Sequence, residues 1–241
     1  KITRSKAYSE LKRNYDGYHF TEEAPGMYNP FSLLNALHKR SFGSYWFETG
    51  TPSYLVELLK RHDFKLDELK GNKVTANVLS AIDASSSNPI SVIFQSGYLT
   101  ISGYNERYKL YSLDFPNEEV REGFMLYLMP YYTSVSVNKT GFQISCFVEE
   151  VKSGDINGFM TRLESFFANV PYDLIKDTEN HYQNVLFILC NLCGLYTKAE
   201  YHTSDGRVDM TIETPDYVYI FEFKYNGTAE EAMSQIKEKN Y

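Results

Sequence analysis

From Arg207 to Lys224 the sequence leaves the helical period for one of two: Arg207-Val-Asp-Met-Thr-Ile-Glu, then Thr214-Pro-Asp, then Tyr217-Val-Tyr-Ile-Phe-Glu-Phe-Lys. That is the period of extended strands, and the turn formers between the two runs predict a hairpin. In the second strand Glu222 and Lys224 share one face and Phe221 and Phe223 the other, because successive side chains point to opposite sides. An ionisable pair in so apolar a strand needs compensation, since burying an unpaired charge is costly. Loop length then decides whether Asp209 joins the pair. A two-residue turn at Pro215-Asp216, or a four-residue loop, sets Asp209 directly opposite Glu222. A three-residue loop sends the carboxylates to opposite faces unless a bulge restores the register.

Two opposed carboxylates suit a hard divalent cation, which takes one or two carboxylates and completes its shell with water and phosphate oxygens. Lys224 would orient water or offset developing negative charge. The alternative is a structural salt-bridge cluster at a strand end. After the hairpin, Asn226-Gly227 turns the chain and Thr228-Ala-Glu-Glu231 has the form of a capping box. It opens a helix with Ala229, Ala232, Met233 and Ile236 along one side and Gln235 at the margin of that stripe. Before the hairpin, Glu179-Asn-His-Tyr-Gln-Asn leads into a helix apolar nearly all round and therefore buried. Glu179 and Gln183 at its start can approach the sheet.

The preceding sequence is mainly helical. Residues 5–15 form a short helix without a cap, closed by Asp16-Gly17. Pro30 and Pro52 open helices carrying Phe31, Leu33, Leu34 and Leu37, and Tyr54, Leu55, Leu58 and Leu59. Between them, Gly43-Ser-Tyr-Trp-Phe-Glu-Thr-Gly-Thr-Pro reads as a packed corner. A polar loop (83–88) and a short apolar piece (90–94) lead to Gly97-Tyr-Leu-Thr-Ile and Tyr108-Lys-Leu-Tyr-Ser-Leu, a second hairpin. Helix plus hairpin is compatible with a winged-helix unit, although the lack of a basic stripe favours a packing role. Asn117 caps a helix with acidic residues at its positive end. The domain boundary is expected within 112–145.

At 241 residues with 43% hydrophobic content, the chain can bury a substantial core as one large domain or two ordinary ones. A net charge of −7 excludes a molecule that is basic overall, so any contact with nucleic acid is local. Three cysteines are too few for a disulfide framework, which points to a reducing compartment, the cytoplasm. Cys190-x-x-Cys193 lies within an apolar helix and reads as buried thiols. The five histidines form no metal or triad pattern; His181 nears the charged hairpin but reads as packing, and Arg207 is either a phosphate contact or a loop residue. No leader or membrane-spanning run is evident. The chain opens on Lys-Ile-Thr-Arg and ends on Tyr241, so further sequence is expected on both sides.

The arrangement resembles the PD-(D/E)XK nuclease superfamily, whose core is helix, three strands, helix, strand. Its acidic residue on the first helix, its Asp and its Glu-x-Lys fall here on Glu179, Asp209 and Glu222-Phe223-Lys224. Gly206-Arg-Val-Asp, Tyr-Ile-Phe-Glu-Phe-Lys and Ala-Glu-Glu-Ala-Met-Ser-Gln-Ile are similar to a bacterial branch in which the nuclease-like domain follows an AAA-ATPase-like domain. Asp16-Gly17-Tyr18, Tyr28-Asn29-Pro30-Phe31 and Gly97-Tyr98-Leu99 resemble the end of that ATPase-like region. No Gly-x-x-x-x-Gly-Lys-[Ser/Thr] loop occurs, so no ATPase activity is expected from this stretch.

The resulting expectation is an α+β protein. Residues 1–140 would be the helical, winged-helix-like end of an ATPase-like region, and 141–241 a restriction-endonuclease-like α/β domain with a small mixed sheet. The resemblance implies phosphodiester hydrolysis on nucleic acid, DNA in the first instance. Asp209, Glu222 and Glu179 would hold Mg²⁺ or Mn²⁺, Lys224 would position water, and Gln235 would support it. The upstream ATPase-like domain of the same chain would be a partner, and a membrane would not. The alternative is a catalytically silent module that keeps the fold for regulation or for binding DNA or protein.

Overall fold

The computed structural model describes residues 2–49, 53–80, 89–133, 135–168, 178–194, 196–201, 209–224 and 226–238. The segment 83–88, Pro52, Leu195, His202 and Arg207 lie outside them. Contacts divide the chain into two compact units, Lys1–Phe124 and Met125–Tyr241.

In the first unit, α1 (Arg4–Tyr15) begins at a cap the sequence pattern had not supplied: Thr3 Oγ1 accepts the Lys6 N–H at 3.3 Å. Asn29 caps α2 (Pro30–Lys39), its Oδ1 accepting the Ser32 N–H at 3.1 Å, with proline in the first turn where no N–H is required. Helix α3 (Ser53–Arg61) buries Leu55, Val56, Leu58 and Leu59. Then come β1 (Lys73–Val74), α4 (Ala76–Ser80), α5 (Ile90–Gln95), β2 (Thr100–Asn105) and β3 (Leu110–Asp114), the strands forming an antiparallel sheet in the order β1-β3-β2. The apolar piece at 90–94 is thus helical, with Ile90 and Ile93 fully buried.

The aromatic corner is packed as expected. Glu119, 3% exposed, accepts the backbone N–H groups of Tyr45 and Trp46 on Oε1 at 2.6 and 3.0 Å. Trp46 and Phe47 meet the Tyr98 ring edge-on at 4.7 and 5.9 Å. Gly123 leaves the space that Phe47 fills, since a Cβ there would lie 2.2 Å from the ring. Glu119 belongs to α6 (Glu118–Tyr132), which Asn117 caps by accepting the Val120 N–H at 3.1 Å.

The second unit stacks α7 (Val137–Ser153), α8 (Ile156–Ala168) and α9 (Thr178–Cys193) with strands β4 (Lys198–Tyr201), β5 (Met210–Glu213) and β6 (Val218–Phe221) and helix α10 (Ala229–Glu238). Gly154, at φ 82°, ends α7 in the left-handed conformation that glycine adopts without penalty. Arg162 clamps α8 to α7, donating from Nε to both Glu150 oxygens at 2.8 and 3.1 Å and from Nη1 to Gln143 at 2.8 Å. The strands pair in the order β4-β5-β6, all antiparallel. A mixed sheet was expected; among the described residues the three strands pair only antiparallel, since a parallel partner needs a crossover connection.

One face of β6 is aromatic. Tyr217, Tyr219, Phe221 and Phe223 follow one another with centroids 5.9, 6.3 and 6.0 Å apart. The Tyr219 hydroxyl donates to the Val151 carbonyl at 2.8 Å, and Phe221 meets Phe159 at 5.3 Å. This apolar face anchors the hairpin and leaves its opposite face for charge. Among the described residues no helix is long and apolar enough to cross a membrane.

Phe221 is 8% exposed. We predict that Phe221→Ala costs about 3–5 kcal/mol of stability, the usual range for emptying a buried aromatic site. Urea unfolding would read this as a lower midpoint, and an unchanged midpoint would show that the aromatic face does not anchor the hairpin.

Candidate active site

The β5–β6 register is the one that brings the carboxylates together. Met210 pairs with Phe221, Ile212 with Tyr219 and Glu213 with Val218, and the Thr214 N–H donates to the Tyr217 carbonyl at 2.8 Å. Pro215 and Asp216 are therefore the two residues of the turn. Extending the ladder by one position sets Asp209 opposite Glu222. Here the regular pairing gives way to a side-chain bond: Asp209 Oδ2 accepts the Phe223 N–H at 2.8 Å. No residue pattern announces that donor, because a backbone N–H becomes available only where the ladder stops.

The side-chain alternation nevertheless continues past the ladder. Phe223 stays on the aromatic face, while Glu222 and Lys224 come together on the other, with Lys224 Nζ donating to Glu222 Oε1 at 2.9 Å. The two ends of that pair differ sharply in exposure: the Glu222 side chain is 2% exposed and that of Lys224 30%. Lys224 Nζ also donates to Gln235 Oε1 on α10. Gln235, at the margin of the helix's apolar stripe, is thus placed against the lysine.

The turn before α10 sets this approach. Thr228 Oγ1 accepts the Glu231 N–H at 3.2 Å, and Glu231 Oε2 accepts the Thr228 N–H at 2.8 Å, completing the capping box. Asn226 is left-handed at φ 57°, and a Cβ on Gly227 would lie 2.8 Å from Lys224 Cβ. Glycine is needed there for the chain to pass the lysine.

Glu222 Oε2 is buried and makes no hydrogen bond. A buried carboxylate oxygen without a donor carries a desolvation cost that the Lys224 bond to Oε1 offsets only in part. Among the described residues Asp209 makes its hydrogen bond through Oδ2, to the Phe223 N–H, and none through Oδ1. Burial pushes the Asp209 carboxyl above the usual aspartate range; the Phe223 N–H opposes this, the Glu222 charge adds to it, and Lys224 opposes it. Two carboxylates, each with an uncommitted oxygen, fit a divalent cation, which would remove both the desolvation cost and the mutual repulsion.

Glu179 makes no hydrogen bond or ion pair with these two carboxylates' cluster among the described residues. It is exposed in the first turn of α9 and accepts a bond from Gln183 at 3.4 Å. Among the described residues no group of three or more His, Cys, Asp or Glu side chains is arranged to hold a metal. His181 packs instead, stacked 6.2 Å from Tyr132. Cys190 and Cys193 form no disulfide among the described residues and are buried in α9, where burial pushes the Cys193 thiol pKa up.

Residues 177–241 match the family model of the PD-(D/E)XK nuclease superfamily. Nucleases of that superfamily generally use divalent metal ions, which accords with the paired carboxylates. The chain is also 36% identical over 248 residues to a protein of Azotobacter chroococcum mcd 1 described as an uncharacterized protein in the vnfD 5' region. The alignment covers 96% of this chain and 46% of that relative, so the chain spans about half of the relative's length. No solved structure matches the chain.

A raised carboxyl pKa means that the folded protein favours the protonated Asp209. That contribution to stability is complete below the unfolded value of about 3.9 and is lost as pH rises through the folded value. In the presence of chelator at pH 7, Asp209→Asn is therefore predicted to melt above the wild type, with the difference narrowing as pH falls toward 4. Thermal unfolding followed by circular dichroism checks this; a lower melting point at pH 7 would mean that the aspartate charge is stabilised where it lies.

Proposed function

We propose that this chain carries a metal-dependent nuclease site that hydrolyses phosphodiester bonds in nucleic acid, with DNA as the first substrate to test. The observation that carries the proposal is the bare Oε2 of a Glu222 side chain that is 2% exposed, on the hairpin that also holds Asp209. Asp209 and Glu222 would hold Mg²⁺ or Mn²⁺, and Glu179 is the remaining carboxylate that the superfamily pattern assigns. A bound divalent ion would supply charge neutralisation at the phosphate. Lys224 has three N–H donors; Glu222 and Gln235 take two, and the third is available to orient the attacking water. Gln235 would hold the ammonium in place while Glu222 turns to metal. Water attacks phosphorus, the bond to the leaving oxygen breaks, and the water proton departs to solvent or to the leaving oxygen.

The fragment is further proposed to sit beside an ATPase-like module in a longer protein, as its coverage of the Azotobacter relative permits. The succession β1, α4, α5, β2, β3, with β1 paired to β3, supports the winged-helix-like reading of the first unit. One observation favours a second reading, a silent nuclease fold used for binding: no third acidic group joins Asp209 and Glu222 among the described residues.

Incubation with single- and double-stranded DNA and Mg²⁺ or Mn²⁺ tests the proposal. Cleavage is expected, abolished by chelator and by Asp209→Ala or Glu222→Ala. Lys224→Ala is expected to keep metal binding but lose roughly 10²–10⁴-fold in rate, the usual range for a group that assists proton transfer or positions water. DNA binding without cleavage under any metal would support the silent module instead.

A further inference from the structure

We propose that the first unit contains a second binding site, for a small phosphate-type oxyanion, in a cleft between the Asp16-Gly17 turn and the start of α6. The cleft encloses about 550 Å³, within the range of small-molecule sites. It accounts for a motif that the nuclease chemistry leaves unused. Gly17 has φ 110°, and a Cβ on it would lie 2.0 Å from the Pro116 carbonyl oxygen, so only glycine closes this wall. On the other side stands the N-terminal end of α6, where backbone N–H groups and the helix dipole favour negative charge.

Two lining side chains present donors without acceptors. Asn117 is 9% exposed; its Oδ1 is fixed by the Val120 cap, which identifies the buried Nδ2 as the group left without a partner. Arg121, one turn further along the same helix, is held by Glu118 through Nη2 at 2.5 Å, and its buried Nε also lacks a partner. Buried donors in this state cost free energy until an acceptor reaches them. Lys12 and Lys70, both exposed at the same cleft, make no ion pair among the described residues.

The acids of the cleft are already engaged. Glu118 is paired with Arg121, Asp16 Oδ1 accepts the Gly17 N–H at 2.9 Å, and Asp114 Oδ1 accepts the Phe115 N–H at 2.7 Å. Burial raises the Asp114 pKa, and the Phe115 N–H and the Lys70 and Arg121 charges oppose the rise. What remains unsatisfied is a set of donors and cations, in a protein whose net charge is −7. A phosphate oxyanion matches such a set, because it accepts several charge-assisted hydrogen bonds at once.

Calorimetric titration of inorganic phosphate and pyrophosphate into the 241-residue chain tests the proposal. Chelator is present throughout, so that the carboxylate pair of the hairpin plays no part. Saturable binding is expected, weakened about tenfold by Lys12→Gln and by Lys70→Gln, each of which removes one charged donor from an exposed position. A parallel titration with a short single-stranded oligonucleotide separates a free anion from backbone phosphate. Binding of neither anion, equal binding by the double variant, or binding of the oligonucleotide alone would each overturn the assignment.

Discussion

The C-terminal unit turns on a single buried carboxylate. Glu222 sits in a strand whose other face is a row of aromatic rings packed on α7 and α8, so its position is fixed by apolar burial that has nothing to do with its charge. Lys224 satisfies one of its oxygens and leaves the other bare. A hydrophobic strand can hold such a group only at a cost, and that cost is what makes the position useful. In the proposed site the fold would hold this carboxylate in fixed orientation for a cation, whose binding would relieve that cost.

The register of the hairpin delivers Asp209 to the same place, and register follows from the turn. Pro215-Asp216 closes a two-residue connection, which keeps the alternation in phase and puts both carboxylates on one face. A loop one residue longer would have turned Asp209 toward the aromatic face. Gly227 and the Thr228–Glu231 capping box then bring α10 close enough for Gln235 to reach the lysine. The arrangement depends on short, well-determined local geometry rather than on long-range docking.

Much of this was legible in the sequence because it is local. Strand alternation, the capping box and the shared face of Glu222 and Lys224 follow from periods of two and 3.6, and Asn117 acts as the cap its position predicts. Features that depend on where a ladder ends were not legible. The Phe223 N–H that holds Asp209, the cap that Thr3 supplies to α1 and the helical state of the short Ile90–Gln95 segment all arise from context. The partner of Glu179 is tertiary in the same sense. Its residue type and helix position recommend it, but no local rule sets the distance from an exposed first turn of α9 to a strand end.

The most direct test of the central claim is a crystal structure of the chain soaked with Mn²⁺, with the metal located by anomalous scattering. A peak is expected on the charged face of the hairpin, within roughly 2.0–2.6 Å of Glu222 Oε2 and of an Asp209 oxygen, the range for hard divalent cations bound to oxygen. No peak there, with manganese bound elsewhere or absent at saturating concentration, would contradict it and leave the Asp209, Glu222 and Lys224 cluster as a structural one.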